Sequence, residues 1–222
     1  MIKAVIFDVF ETLVTHYNCP LYFGEQIAED IGICNEKFQE IWEPAGERRT
    51  IGKISLEELL EEILRNNNCY SEKLLRNITE KRVATKKLCF NNIDSAIIPM
   101  LKELKQSKLK LAIISNCFSE EVPLIRNNSF TEYFDEMFLS YEQGIQKPNT
   151  EIYLRCIRKL EVEPEECLYI GDGGSNELVA AKQIGMNALQ AGWYIIKSRQ
   201  LESRRQEQFP LLKQPRDIFS YI

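Results

Sequence analysis

The chain has 222 residues, 44% apolar and 27% charged, with a formal net charge of −5. Such a composition suits an ordinary soluble globular protein, either one α/β domain with a modest insertion or two small domains. No apolar run approaches the ~20 residues of a membrane span, and mild acidity without a basic block argues against nucleic acid or an anionic membrane as the main partner.

The first predicted element is Lys3-Ala4-Val5-Ile6-Phe7, a continuous apolar run that ends at Asp8. It is too short for a signal segment, and it reads as a central parallel strand buried on both faces. From about Cys19 to about Cys89 only helical patterns occur. Phe38, Ile41, Trp42 and Ala45 fall at i, i+3, i+4 and i+7, and Leu56, Leu59, Leu60, Ile63 and Leu64 form a stronger stripe. Ser55 and Glu58 have capping-box spacing just before it. Arg48, Arg49 and Lys53 lie at a helix end beside Gly52; they can meet an anionic group, although a solvated basic face is the reading such a charge pattern favours. Trp42 is expected in the core stripe.

A helix is predicted over 95–107, then a strand over Lys110–Ser115. Further strands follow at 136–140, 167–171 and 187–191, with helices over 150–160 and 175–184 between them. Strand alternating with helix is the pattern of a doubly wound α/β sheet. After Gly192 the chain is polar over 201–208, and Pro215 to Phe219 suits a last short helix. The seven cysteines are scattered without a CxxC pair, and the single histidine, His16, cannot complete a zinc cluster. Reduced thiols and a cytoplasmic location are therefore expected.

Four segments at strand ends carry residues suited to chemistry. Asp8 follows a buried strand, where a carboxylate needs partners; it can equally cap a helix. Ser115-Asn116 follows the second strand, where a hydroxyl and an amide can hold an anion or simply make a turn. Lys147-Pro148 stands at a helix start, with the lysine placed to enter the strand-end crevice or to lie on the surface. Gly171-Asp172-Gly173-Gly174-Ser175-Asn176-Glu177 is a glycine turn whose two acids can face one site and suit magnesium, or form a plain loop.

In chain order these read acid, Ser/Asn, lysine, then Gly-Asp with a second acid. That order resembles the haloacid dehalogenase-like (HAD) hydrolase superfamily over about residues 1 to 192, and the helical block is similar to the cap of the subgroup with a helical lid between the first two motifs. The resemblance implies a Rossmann-like parallel core over 1–14 and 91–222, with an all-helical cap over 15–90 in which four helices are expected. It implies a magnesium-dependent hydrolase of a small phosphorylated substrate, in which Asp8 attacks phosphorus and forms an aspartyl-phosphate. Ser115, Asn116 and Lys147 would bind the phosphate. Magnesium would be held by Asp8, the Phe10 main-chain carbonyl and Asp172, with Glu177 holding metal-bound water or Lys147.

Phe10 departs from the pattern. Phosphatases of this superfamily usually carry a second aspartate there, and acid–base help of that kind is worth roughly 10²–10⁴ in rate. The next residue of the pattern, a glycine, is replaced by Glu11. Three readings follow. The first is a phosphatase that acts on a good leaving group, or that uses Glu11 or a cap residue as the acid. The second is a relative of the 2-haloacid dehalogenases, which carry an aromatic residue at the position of Phe10 but need no magnesium acids. The third is a catalytically weak phospho-ligand-binding protein. The retained acids Asp172 and Glu177 favour the first.

Overall fold

The computed structural model describes residues 1–222. Its centre is a six-stranded, wholly parallel sheet in the order β3-β2-β1-β4-β5-β6. The strands are β1 (Ala4–Phe7), β2 (Lys110–Ser115), β3 (Glu136–Leu139), β4 (Cys167–Gly171), β5 (Asn187–Ala191) and the two-residue β6 (Leu211–Leu212). The first five match the predicted runs closely. The sequence reading did not include β6, which is too short to show a pattern.

Strand β1 is central, and Phe7 pairs with Ile113 on one side and Ile170 on the other. Its side chains alternate between faces as the pleat requires. Val5 and Phe7 join a cluster of 27 buried residues, while Ala4 and Ile6 join a cluster of 17 on the opposite face. Burial on both faces explains why the run is apolar without alternation. The chain lays down β1, β2 and β3 in one direction and then returns to place β4 on the other side of β1. The strand order therefore reverses beside β1, and in open α/β sheets ligands bind at the carboxyl ends of the strands at such a point.

Five helices lie between β1 and the helix that precedes β2: α1 (Gly24–Ile31), α2 (Asn35–Trp42), α3 (Gly46–Thr50), α4 (Leu56–Asn66) and α5 (Glu72–Asn91). They carry an apolar cluster of their own, 13 buried residues from Tyr22 to Ile78. The capping box predicted for α4 is present: the Glu58 amide donates to Ser55 Oγ at 3.2 Å and the Ser55 amide to Glu58 Oε2 at 2.7 Å. The expected stripe from Phe38 to Ala45 is not one helix, because α2 ends at Trp42 and Ala45 caps α3.

The core helices are α6 (Ile97–Gln106), α7 (Val122–Arg126), α8 (Ser140–Gln143), α9 (Thr150–Leu160) and α10 (Glu177–Gln183). The segment predicted to end in a helix closes in a 3₁₀ turn, Pro215–Ser220. No helix is long and apolar enough to cross a membrane.

Candidate active site

Asp8 is the first residue beyond β1, and its amide still donates to Ile170 of β4 at 2.9 Å. Lys147, from the loop before α9, reaches under the sheet end. Its Nζ lies 2.7 Å from Asp8 Oδ1 and also pairs with Glu177 Oε2. Glu177, the first residue of α10, is fully buried. Tyr169 of β4 donates to the same Glu177 oxygen at 2.8 Å, and the Gly173 amide donates to Oε1 at 3.0 Å. Only glycine fits at 171: a Cβ there would stand 2.1 Å from Glu177 Oε1. The turn thus lets a carboxylate fold back against its own strand.

Asp172 completes the group. Its Oδ1 accepts from the Gly174 amide at 3.0 Å, and its Oδ2 pairs with Arg204. Ligand oxygens of Asp8, Asp172 and Glu177 all lie within 4.8 Å of one another. Crowding of buried charges explains the shifts of Lys147, Glu177 and Asp172. Burial alone would lower Lys147, but Asp8 and Glu177 outweigh it and hold the ammonium above the usual lysine range. Burial and the neighbouring Asp8 push Glu177 up to about 8, with Lys147 opposing. Asp172 is likewise raised, by burial first and by Asp8, with Arg204 opposing. An acid-rich, oxygen-only pocket of this kind fits a hard divalent cation.

The turn after β1 is tight. The Val9 carbonyl accepts from the amides of Thr12, Leu13 and Val14 at 3.3, 2.8 and 3.0 Å. Glu11 takes a left-handed conformation (φ 57°), which explains the preference for glycine in the pattern and costs an L-residue about 1–2 kcal/mol. Its side chain is held in return. Thr15 Oγ1 donates to Oε2, while the His16 amide and Nδ1 lie 3.1 and 3.0 Å from Oε1. Burial would raise Glu11, but the hydrogen bonds from His16 and Thr15 prevail and lower it. Lys86 donates to the other ring nitrogen of His16, so Nδ1 carries the imidazole proton. Burial, then Lys86, lowers His16 and keeps it neutral. The Phe10 ring stacks on His16, centroids 4.7 Å apart.

A cavity of about 380 Å³ lies between the sheet end and the helical insertion. Its wall runs from Arg204 and Asn116, beside the acid cluster, to Trp42, Arg49, Arg82 and Lys86 of the insertion. Here cations of the insertion meet two glutamates that follow β2. Lys86 pairs with Glu121 at 2.6 Å, while Arg82 and Arg49 share Glu120 Oε1 at 3.2 and 3.3 Å. The backbone of the insertion is also tied down. The Leu56 amide donates to Ser119 Oγ at 2.9 Å, and Ser140 Oγ donates to the Thr50 carbonyl at 2.8 Å.

Asp8, Lys147, Asp172 and Glu177 are therefore brought together, with Ser115 fully buried at the end of the adjacent strand β2. The Ser115 hydroxyl makes only a long contact of 3.4 Å to the Asn116 carbonyl. The Asn116 side chain is engaged differently from the sequence expectation. It accepts from the Lys147 amide at 2.8 Å and donates to the Lys147 carbonyl at 3.0 Å, clamping the lysine loop. Both Glu177 oxygens are taken by Lys147, Tyr169 and Gly173, so it acts on the site chiefly through Lys147. Arg49, read as part of a solvated basic face, is 3% exposed. Trp42 packs on Phe38, centroids 5.1 Å apart, but its ring also carries the Arg49 guanidinium at 3.8 Å. Sequence reasoning missed Arg82, Lys86, Glu120, Glu121 and Arg204. The signals available were the i, i+4 pair of cations on α5 and the two adjacent acids shortly after Ser115-Asn116; Arg204 had none.

Residues 2–185 match the family of haloacid dehalogenase-like hydrolases. The chain belongs to this family. Among curated relatives, the Rhythmically expressed gene 2 protein of Drosophila melanogaster is 34% identical over 50% of this chain, a match spanning 45% of that protein's length. The Glyceraldehyde 3-phosphate phosphatase of Methanopyrus kandleri is 26% identical over 100% of this chain and 97% of its own. Among solved structures, the HAD phosphatase from Thermococcus onnurineus superposes with a TM-score of 0.68 at 20% identity, covering 99% of this chain and 97% of that one. The likeness establishes the Rossmann-like HAD fold.

Proposed function

We propose that this HAD hydrolase is a magnesium-dependent phosphatase of a small phosphorylated metabolite, with Asp8 as nucleophile. The observation that carries the reading is the gathering of Asp8, Asp172 and Glu177 at one point, with Lys147 paired to Asp8 and Glu177. A displacement at carbon needs a carboxylate but no cluster of acids, so the cluster favours phosphoryl transfer over dehalogenation. The curated phosphatase that aligns over the whole chain supports the same choice.

The donors fit magnesium: Asp8, Asp172 and the Phe10 carbonyl would hold it, with Glu177 behind them, and when bound it would offset the charge of the phosphate. Asp8 attacks phosphorus, and the bond from phosphorus to the ester oxygen breaks. Lys147 offsets the repulsion between carboxylate and phosphate from the protein side. The Ser115 hydroxyl and neighbouring amides hold the transferring oxygens. Water then cleaves the aspartyl-phosphate, releasing phosphate and restoring Asp8. Asn116 and Glu177 position Lys147.

Glu11 is unsuited to the part of general acid, because both its oxygens accept hydrogen bonds and it is held ionised. The site therefore favours esters or anhydrides with good leaving groups. Residues 15–90 serve as the lid over the cleft. Seven cysteines, all free, support a reducing cytoplasmic setting.

The test is phosphate release from acetyl phosphate or p-nitrophenyl phosphate with and without magnesium. Release should require the metal, and Asp8→Asn should lower it by on the order of 10⁴ or more. Activity surviving that change, or metal-free halide release from 2-chloropropionate, would overturn the reading.

A further inference from the structure

Arg49 is out of balance with its surroundings. Of its five N–H donors, only one on Nη2 has a protein acceptor, Glu120 Oε1 at 3.3 Å, and Nε is buried with no partner. A buried donor left unpaired is costly, and native interiors contain few. The one carboxylate it touches is shared with Arg82. Lys86, the next cation along the wall, is already matched by Glu121.

The guanidinium lies between two aromatic rings, 3.8 Å from the Trp42 centroid and 4.0 Å from Phe118. That arrangement fixes its plane and excludes water from both faces, leaving its edges to make hydrogen bonds. Burial lowers it to about 10, and Glu120 only partly offsets this. A structural arginine would be expected to spend more of its donors on the protein. This one is held rigid, desolvated and largely unused in a cavity wall that also includes Asn116 and Arg204, the partners of Lys147 and Asp172.

We propose that Arg49 binds a second oxyanion of the substrate, so that the preferred substrate is a short phosphate ester bearing a carboxylate or another phosphate at the end remote from Asp8. The assignment rests on the phosphatase reading and narrows it. A planar guanidinium pairs with either oxyanion through two parallel hydrogen bonds. The two aromatic rings orient that fork, and Glu120 holds its other side. A neutral alcohol or aldehyde at the remote end could accept one hydrogen bond there, but it supplies neither the charge nor the two parallel acceptors that a guanidinium fork matches.

Three aryl esters matched in leaving group test this: 4-(2-hydroxyethyl)phenyl phosphate, 4-(carboxymethyl)phenyl phosphate and 4-(2-phosphonooxyethyl)phenyl phosphate. The readout is the ratio of kcat/KM for each charged ester to that for the neutral one. In the wild-type protein at least one ratio should be about 10 to 100, the worth of a charge-assisted pair, and the larger ratio identifies carboxylate or phosphate. In Arg49→Met that ratio should fall towards one, mainly through KM, and Arg49→Lys should recover part of it. Wild-type ratios near one overturn the inference even if Arg49→Met fails to fold; so does a ratio that Arg49→Met leaves intact. If wild-type protein with magnesium releases no phosphate from these esters or from p-nitrophenyl phosphate, it is the phosphatase reading that has failed.

Discussion

Two buried charge networks border one cleft, and they leave different groups without a partner. Below, at the strand ends, Asp8 and Glu177 face Lys147, with Asp172 beside them and paired with Arg204. Above, where the insertion meets the core, Arg49, Arg82 and Lys86 face Glu120 and Glu121, and Glu11 stands behind His16. The lower network crowds three carboxylates together, whereas the upper one is balanced in charge but leaves the Arg49 Nε without an acceptor. Buried polar groups are tolerated when paired, so the proposed reading gives each end its own complement: a cation beside the carboxylates below and an oxyanion on Arg49 above.

This contrast can be broken from either end. The largest effect on stability is expected from Lys147→Met, which leaves Asp8 and Glu177 buried without their common cation. Breaking a buried pair in this way costs about 3–5 kcal/mol, to be read as a shift in the urea midpoint; an unchanged midpoint would show that the lower network is not held by its lysine. The upper network is probed by pH. Burial pushes Glu121 up, but Lys86 and Arg82 outweigh it and hold it below the usual glutamate value of 4.5. A carboxylate lowered on folding gives stability that is present above its unfolded pKa and is lost as pH falls through the folded one. Wild-type stability should therefore decline below pH 4.5, by up to about 1.4 kcal/mol per pH unit from this group. Glu121→Gln should flatten that decline in denaturant melts taken across the range.

The smallest effect should come from Arg204→Ala. The side chain is 38% exposed, so its pairing with Asp172 is screened by solvent and modest. Removing it frees an oxygen of Asp172 for a metal ion. Calorimetric titration with magnesium should show binding tighter by about 2- to 5-fold, and weaker binding would mean that Arg204 supports the metal site instead of competing for it.

The two networks also differ in how readily the sequence reveals them. Asp8, Ser115 and Asp172 each stand within one residue of the end of an apolar run, and a parallel sheet brings such ends to one edge whatever the details of packing. Lys147 was legible from its place before a helix start. Arg49, Arg82 and Lys86 carry no such constraint. Periodicity gives the face of a helix but not its neighbour, and a cation on that face looks the same whether it meets water or Glu120. The break between α2 and α3 is a further case, since Phe38, Trp42 and Ala45 keep helical spacing across it. The tail was opaque because β6 has two residues and Arg204 sits in a polar stretch without period.

That tail bears directly on the turn that follows Asp8. Trp193 Nε1 donates to the Thr12 carbonyl at 2.8 Å, locking the turn that follows Asp8. Gln190 Nε2 joins the carbonyls of Asp172 and Arg204 at 2.7 Å each, and Gln206 reaches the Gly173 carbonyl at 2.9 Å. Trp193, Gln190 and Gln206 are translated after Thr12, Asp172 and Gly173, which they brace. On the ribosome, Asp8, Ser115, Lys147 and Asp172 emerge well before Trp193 and Gln206, so a nascent chain can carry all four side chains while the frame that holds them is still unmade.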